Sequence, residues 1–186
     1  MSSPAYRATL LYSSLCKIIA MSITMNRLLA HMSWANQKTI THLQTLPEQS
    51  LLAFATNPKW QVSEIIHHIV DSADAYAFRI TGKHPQLPGD SIPEIGVIAD
   101  LAVISKQAAA IDAALLESVS LDDEQLEFTN YSGKLVKRWR STILSQAIHH
   151  ATEHRAQIAS ALEAKGFTPV DLDELDLWAF EIETEH

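Results

Sequence analysis

Glycine and proline are scarce in this chain of 186 residues, which contains five glycines and seven prolines. Average usage would give about 13 and about 9. Sandwiches and barrels of β-strands need turn residues roughly every 8–12 positions, so the shortage argues against an all-β fold. Alanine and leucine are abundant instead, and both residues favour helices. The composition therefore predicts an all-α domain.

Basic residues and cysteine are also few. Lysine and arginine total 14 against 22 acidic residues, which gives a formal net charge of −8. Proteins that bind nucleic acids normally present a basic face, so no nucleic-acid partner is expected. The single cysteine, Cys16, excludes an intramolecular disulfide framework and is typical of a reducing compartment, so we expect a cytoplasmic protein. No apolar run approaches the roughly 18–20 residues of a membrane span, and no membrane partner is expected.

The apolar pattern divides the chain into a short N-terminal segment and one longer domain. The apolar run within residues 1–22 is interrupted by Lys17, and the segment lacks a clean signal-peptide n-region. We expect an additional helix there, or an extension upstream of a natural start at Met21 or Met25. The remaining residues, 23–186, are expected to form the helical domain.

Four long segments of this domain carry apolar residues with the 3.6-residue period of an amphipathic helix. The predicted helices cover residues 25–46, 59–82, 97–119 and 138–165. A connection rich in proline and glycine joins the second helix to the third, and the segment from Asn130 to Gly133 predicts the turn of a small hairpin. A short apolar segment, 175–182, closes the chain. Four helices of this length with one crossover connection predict a four-helix bundle.

Nine histidines are the unusual part of the composition, and helical wheels place three of them toward the bundle interior. His150 and His154 are four residues apart on the fourth helix, so their rings share one face. His68 lies at the edge of the apolar arc of the second helix, whereas His67 and His149 lie among positions expected to face solvent. Burying imidazoles without partners is costly, and a bound metal ion is one way to satisfy them.

His68, His150 and His154 are therefore the candidate metal ligands. Three neutral imidazoles from two helices leave coordination positions open, which is typical of a catalytic rather than a structural site. The alternative is that these are histidines at the edge of the core with ordinary hydrogen bonds, because two histidines four residues apart on a helix often occur by chance.

Two further metal motifs fit less well. Residues 150–154 match the inverted zinc-protease signature with Glu153 as the general base. That site needs a distant acidic ligand, and only 32 residues follow His154. Residues 64–67 match the E-x-x-H motif of di-iron bundles, whose sites need a second such motif in the bundle. Both interpretations are set aside.

An ordered set of motifs resembles the DinB/YfiT-like family of metal-binding four-helix bundles. The motifs are Trp34-Ala35-Asn36, Trp60 eight residues before His68, His150-x3-His154-Arg155-x-Gln157, Gly166, and Leu175-Asp176-Leu177-Trp178. They follow in the family's order over residues 25–181. The resemblance implies that His68, His150 and His154 are the family's metal triad, in agreement with the helical wheels.

The resemblance also implies a function. Characterised relatives include metal-dependent enzymes that use low-molecular-weight thiols, so we expect a thiol transferase or related enzyme that acts on a small electrophile. The small-molecule substrate and the thiol are the expected partners. The alternative is a non-catalytic metal-binding bundle with a structural, storage or sensing role. Zinc, nickel and iron all accept imidazole ligands, so the metal is left open among these three.

Three further residues carry expectations. Trp34 lies opposite the apolar stripe of its helix, so we expect a second contact face, formed by the N-terminal segment or a partner subunit. The resemblance favours a homodimer. Asn36 lies within the apolar stripe and is expected to hydrogen-bond in a pocket or to the backbone. Arg155 is expected to form an exposed salt bridge or to orient an anionic group.

Overall fold

The computed structural model describes the backbone of residues 4–85 and 92–184, and the side chains of these residues from Thr24 onward. The α-helices in this part of the chain are α1 (Pro4–Gln44), α2 (Val62–Thr81), α3 (Leu101–Glu117), α4 (Arg140–Ala164) and α5 (Leu177–Thr184). Short 3-10 helices cover Glu48–Leu52, Ile98–Asp100, Ser118–Ser120 and Asp173–Leu175. The strands are β1 (Gln125–Thr129) and β2 (Leu135–Trp139).

The four long helices form one bundle around a shared apolar core. α1 packs against α3 and α2 against α4, and contacts of α2 with α3 and of α1 with α4 close the bundle. Fully buried side chains from all four helices fill its interior, among them Leu29, Met32, Ile65, Ile66, Ile104, Ile111, Ile158 and Leu162. Each such side chain contributes roughly 1.5–3 kcal/mol when removed from water. The predicted all-α four-helix bundle is confirmed.

The helix ends follow the breakers in the sequence. α2 ends at Gly82, whose φ of 72° places it in the left-handed region, and its N–H donates to the carbonyl of Phe78 at 2.8 Å. Glycine adopts this conformation without the steric cost of a Cβ atom. α3 is shorter than predicted, because 3-10 turns replace its first and last residues. The 3-10 helix Glu48–Leu52 was not predicted.

The predicted hairpin is confirmed and leads directly into α4. β1 and β2 are antiparallel, with Gln125 opposite Trp139 and Thr129 opposite Leu135. In the turn, the side-chain oxygen of Asn130 accepts hydrogen bonds from the backbone N–H groups of Ser132 and Lys134, both at 3.0 Å. The strand β2 ends at the residue before α4 begins, so the hairpin is fixed to the helix that carries two of the candidate ligands.

The first helix is much longer than predicted. α1 runs without a break from Pro4, so the backbone of residues 4–22 continues the first helix of the bundle. The division of the chain after residue 22 stays a prediction. No helix in the part of the chain that the structure describes is both long enough and apolar enough to cross a membrane.

The short helix α5 packs against α1 and covers Trp34. The ring of Trp34 lies 5.5 Å from that of Phe180 and 5.9 Å from that of His31, centroid to centroid. Lys38 places its ammonium group 5.5 Å from the indole. The predicted second contact face of Trp34 is thus supplied by the chain's own C-terminal helix. The homodimer stays a prediction, and Trp34 no longer argues for it.

Candidate metal centre

Three histidine rings from α2 and α4 converge between these two helices. The Nε2 atom of His150 lies 3.1 Å from Nε2 of His68 and 3.1 Å from Nε2 of His154. All three nitrogen atoms lie within 4.8 Å of one another. The predicted convergence of the three rings is confirmed, whereas their role as metal ligands stays a prediction.

The packing of α2 against α4 fixes this geometry. His150 and His154 are one turn apart on α4, with ring centroids 4.3 Å apart and planes at 72°. The ring of His68 lies 4.8 Å from each of them. His154 is buried, and the other two are half-buried, so solvent reaches one side of the cluster.

Gln157 and Trp60 hold the ring of His154 in one tautomer. The indole N–H of Trp60 donates to Oε1 of Gln157 at 2.8 Å, and Nδ1 of His154 lies 2.9 Å from the same oxygen. Because an indole N–H only donates, the Gln157 atom facing it is the amide oxygen. That oxygen only accepts, so Nδ1 of His154 carries the proton and Nε2 presents its lone pair. Partners of this kind orient histidine ligands in metal sites.

The arrangement of the three nitrogen atoms suits coordination of a metal ion better than hydrogen bonding among the rings. A proton on one Nε2 can be shared with one neighbouring ring only, so the three rings cannot all pair with one another. A cation at the centre accepts all three lone pairs. With metal–nitrogen bonds of about 2.0–2.1 Å, tetrahedral ligands lie about 3.3 Å apart, close to the two distances of 3.1 Å. The cluster could therefore bind a metal ion, and zinc, nickel and iron all accept imidazole ligands.

The surroundings keep the rings of His68 and His150 neutral. Burial, together with the neighbouring His154 and His68, lowers the pKa of His150 to about 4. Burial is also the main reason for the lowered pKa of His68, and His154 contributes. These two rings therefore have lone pairs available at neutral pH, which is the form that binds metals.

Of the two histidines predicted to face solvent, only one does. His149 is exposed, as predicted, but His67 is half-buried, and its Nε2 lies 3.4 Å from the carbonyl oxygen of Ile92. Asp74, on the same side of α2, is buried with its carboxylate 2.6 Å from Nδ1 of His84. The expected exposure is therefore wrong for His67 and Asp74, because residues of the connection that follows α2 contact them, whereas Glu64 and Asp71 on the same helix are exposed.

Arg155 is buried, so the expected exposed salt bridge is also wrong. Its guanidinium donates to Oδ1 of Asn36 at 2.7 Å and to the hydroxyl of Thr152 at 3.0 Å. The amide of Asn36 donates in turn to the carboxylate of Asp112 at 3.1 Å. Asn36 thus bonds to two side chains of the core, and the series joins α4, α1 and α3. We call Asp112, Asn36 and Arg155 the polar bridge.

Charge in the polar bridge is costly because its three side chains are buried. Burial raises the pKa of Asp112 to about 6, against the hydrogen bonds from Asn36 and Ser33 and the charge of Arg155, which lower it. Burial lowers the pKa of Arg155 to about 10. No local signal in the sequence indicates Asp112, because the periodicity of α3 carries no information about its partners on other helices.

Two more residues near the cluster were not singled out. The hydroxyl of Ser72 lies 3.5 Å from Nε2 of His68. The ring of Tyr76 lies 5.9 Å from that of His150, nearly perpendicular to it, and burial raises the pKa of its hydroxyl. Both residues follow His68 at intervals of four on α2, and this spacing was the signal available in the sequence.

Fold and site together define a helical bundle with a three-histidine cluster that could bind a metal ion. The chain matches the sequence model of the DinB family over residues 21–185. It belongs to the DinB family. None of the curated proteins compared with the chain matches it.

Proposed function

We propose that this protein binds a divalent metal ion through Nε2 of His68, His150 and His154 and catalyses transfer of a low-molecular-weight thiol to a small electrophile. The observation that carries the proposal is the convergence of three ring nitrogens on one point. Membership of the DinB family supports the thiol chemistry, through the resemblance of the motifs described above.

The charge of the ligand set favours an anionic thiolate as the further ligand. Within the described part of the chain, the cluster consists of histidines alone, without a carboxylate. Three neutral imidazoles leave the charge of a divalent ion uncompensated, and a bound ion is then the largest local charge. Such an ion lowers the pKa of a thiol, so that the thiolate forms at neutral pH.

The chain's own residues orient this chemistry. Gln157 holds the proton of His154 on Nδ1, and Trp60 packs its indole edge-on against the rings of His68 and His154, at 5.3 and 5.7 Å. The indole covers these ring edges, and the half-buried rings of His68 and His150 leave part of the cluster accessible to substrates. In the transfer, the thiol loses its proton to solvent. Its sulfur electron pair forms the new carbon–sulfur bond, and the leaving group departs with its bonding pair.

The metal content of protein purified without an affinity tag tests the first half of the proposal. We expect about one zinc, nickel or iron ion per chain, lost on dialysis against a chelator. The protein with His149→Ala is the control, because this exposed ring is next to a proposed ligand and should leave the content unchanged. A chain that takes up no divalent ion would overturn the proposal.

Thiol binding and consumption test the second half. Cobalt-loaded protein should gain the near-ultraviolet absorption of a sulfur–cobalt bond when a thiol is added. Thiols should then be consumed with alkyl halides or epoxides only when metal is present. If metal binds but no thiol does, the non-catalytic bundle is the better interpretation.

A further inference from the structure

Arg79, near the end of α2, lies among three aromatic rings. Its guanidinium carbon is 5.7 Å from the ring centre of Tyr76, 5.1 Å from that of Phe128 and 5.2 Å from that of Tyr131. Phe128 belongs to β1 and Tyr131 to the hairpin turn, so the group sits between α2 and the hairpin. The negative faces of the rings attract the guanidinium and restrict its side chain.

The position of Arg79 connects it with the histidine cluster. His68, Ser72, Tyr76 and Arg79 lie within about 80° of one another on α2. The ring of Tyr76 lies beside both Arg79 and the histidine cluster, because its centroid is also 5.9 Å from that of His150. The guanidinium is therefore at most about 12 Å from the ring of His150.

The charge of Arg79 is uncompensated within the described part of the chain. It forms no ion pair with any described residue, although the chain carries a net charge of −8. Ring faces attract a cation but accept few of its hydrogen bonds, so the five N–H donors of the guanidinium stay available. Their planar arrangement matches a carboxylate, which can accept two of them at once.

We infer that Arg79 determines specificity by binding the carboxylate of the thiol substrate, while the sulfur of the same molecule reaches the histidine cluster. This inference rests on the proposed function. The distance from the guanidinium to the ring of His150 is at most about 12 Å, so the spacer between sulfur and carboxylate is limited to several carbons. The aromatic rings hold the guanidinium in place beforehand, which reduces the entropy lost on binding.

Two thiols that differ in one group test the inference. Mercaptohexanoate and mercaptohexanol are titrated into cobalt-loaded protein, and the sulfur–cobalt absorption reports the binding of each sulfur. Wild-type protein should bind the acid roughly tenfold more tightly than the alcohol, the factor expected for one charge-assisted contact. Arg79→Met should abolish this preference without weakening the binding of the alcohol. In wild-type protein, added salt should reduce the preference for the acid.

Lys165→Met is the matched control. Lys165 is also a cation over an aromatic ring, with Nζ 3.6 Å from the centre of Phe54, and it follows the C-terminal end of α4. Its loss changes the net charge of the protein by the same amount as Arg79→Met. The preference for the acid should remain in this variant.

Two outcomes with wild-type protein decide against the inference. Equal binding of acid and alcohol by wild-type protein would overturn it, and the proposed function would stand because the sulfur still binds. If neither thiol produces the absorption, both fail together. Should Arg79→Met disturb the hairpin, Arg79→Lys keeps the charge. If Arg79 had a purely structural role, Arg79→Lys would weaken the binding of both thiols equally. If Arg79 recognises the carboxylate, Arg79→Lys would weaken the binding of the acid alone.

Discussion

Two groups of polar residues lie in the bundle, the buried polar bridge and the partly buried histidine cluster, and they differ in how their members pair with one another. In the polar bridge, Arg155 and Asp112 carry charge, and the amide of Asn36 accepts from one and donates to the other. In the histidine cluster, three Nε2 atoms face one another, and no arrangement of protons pairs them all. Removing one member of a buried charged pair destabilises a fold, whereas lone pairs that face one another indicate a site for a cation.

This comparison predicts opposite effects of mutation on metal binding and on stability. Replacing a member of the cluster should abolish metal binding and leave the metal-free fold intact. Replacing a member of the polar bridge should destabilise the fold, even without metal.

The largest expected effect is that of His150→Ala on metal affinity. His150 lies at 3.1 Å from both other ring nitrogens, so its loss leaves two ligands that are too few to hold a divalent ion against water. We expect affinity to fall by roughly a hundredfold or more, beyond the loss typical of outer partners. Competition with a chromogenic chelator measures it, and circular dichroism should show an unchanged helix content. Retention of wild-type affinity would remove His150 from the site.

Arg155→Met should have the largest effect on the free energy of unfolding. The variant keeps the length of the side chain but leaves Asp112 without its compensating charge in the core, which costs about 3–5 kcal/mol. Urea unfolding at pH 7 with a chelator present measures it without any metal contribution.

Lys38→Met is the control for this measurement. Lys38 pairs with Glu183 at 2.7 Å, but both side chains are about half exposed, and such pairs contribute about 1 kcal/mol or less. If Arg155→Met cost no more than Lys38→Met, the polar bridge would not be a stabilising element.

Asp112 should make the polar bridge sensitive to pH. Its pKa rises from 3.8 to about 6 on folding, so between these values the folded state binds more protons than the unfolded state. Stability from this group is fully present below about pH 4 and is lost as pH rises through 6, by about 3 kcal/mol in total. His150, whose pKa falls to about 4, contributes in the opposite direction.

Asp112→Asn separates the two contributions. The variant keeps an oxygen that accepts from Asn36, and it cannot ionise. Unfolding free energies from pH 4 to 7 should show wild-type protein losing about 3 kcal/mol relative to the variant. Parallel curves for the two proteins would contradict the raised pKa.

The two polar groups also differ in how far the sequence predicted them. His150 and His154 lie four residues apart on one helix, so local periodicity places their rings together, and the apolar arc of α2 pointed to His68. The polar bridge depends on which helices are neighbours. Asn36, Asp112 and Arg155 come from three helices, and a wheel drawn for one helix does not show its partners.

The course of the connection after α2 is a second feature that the sequence did not predict. The sequence predicted its existence from proline and glycine but not its path, which brings Ile92 against His67. The path depends on tertiary contacts, and hydrophobic periodicity does not encode them. Helix ends were predicted well where a glycine such as Gly82 stops the helix, since that effect is local.

The smallest expected effect is that of Gln157, which lies beside the cluster and supports it. Gln157→Leu removes the acceptor that keeps the proton of His154 on Nδ1. The tautomer with its lone pair on Nε2, which is the form that binds a metal ion, is then less favoured. Affinity for zinc should fall by about 10–100-fold, the usual cost of losing such a partner. Gln157→Glu should restore affinity to the wild-type level or above it, because a carboxylate accepts the same hydrogen bonds from His154 and Trp60. Chelator competition on the two variants gives the result, and equal affinity of the leucine and glutamate variants would show that Gln157 only fills space.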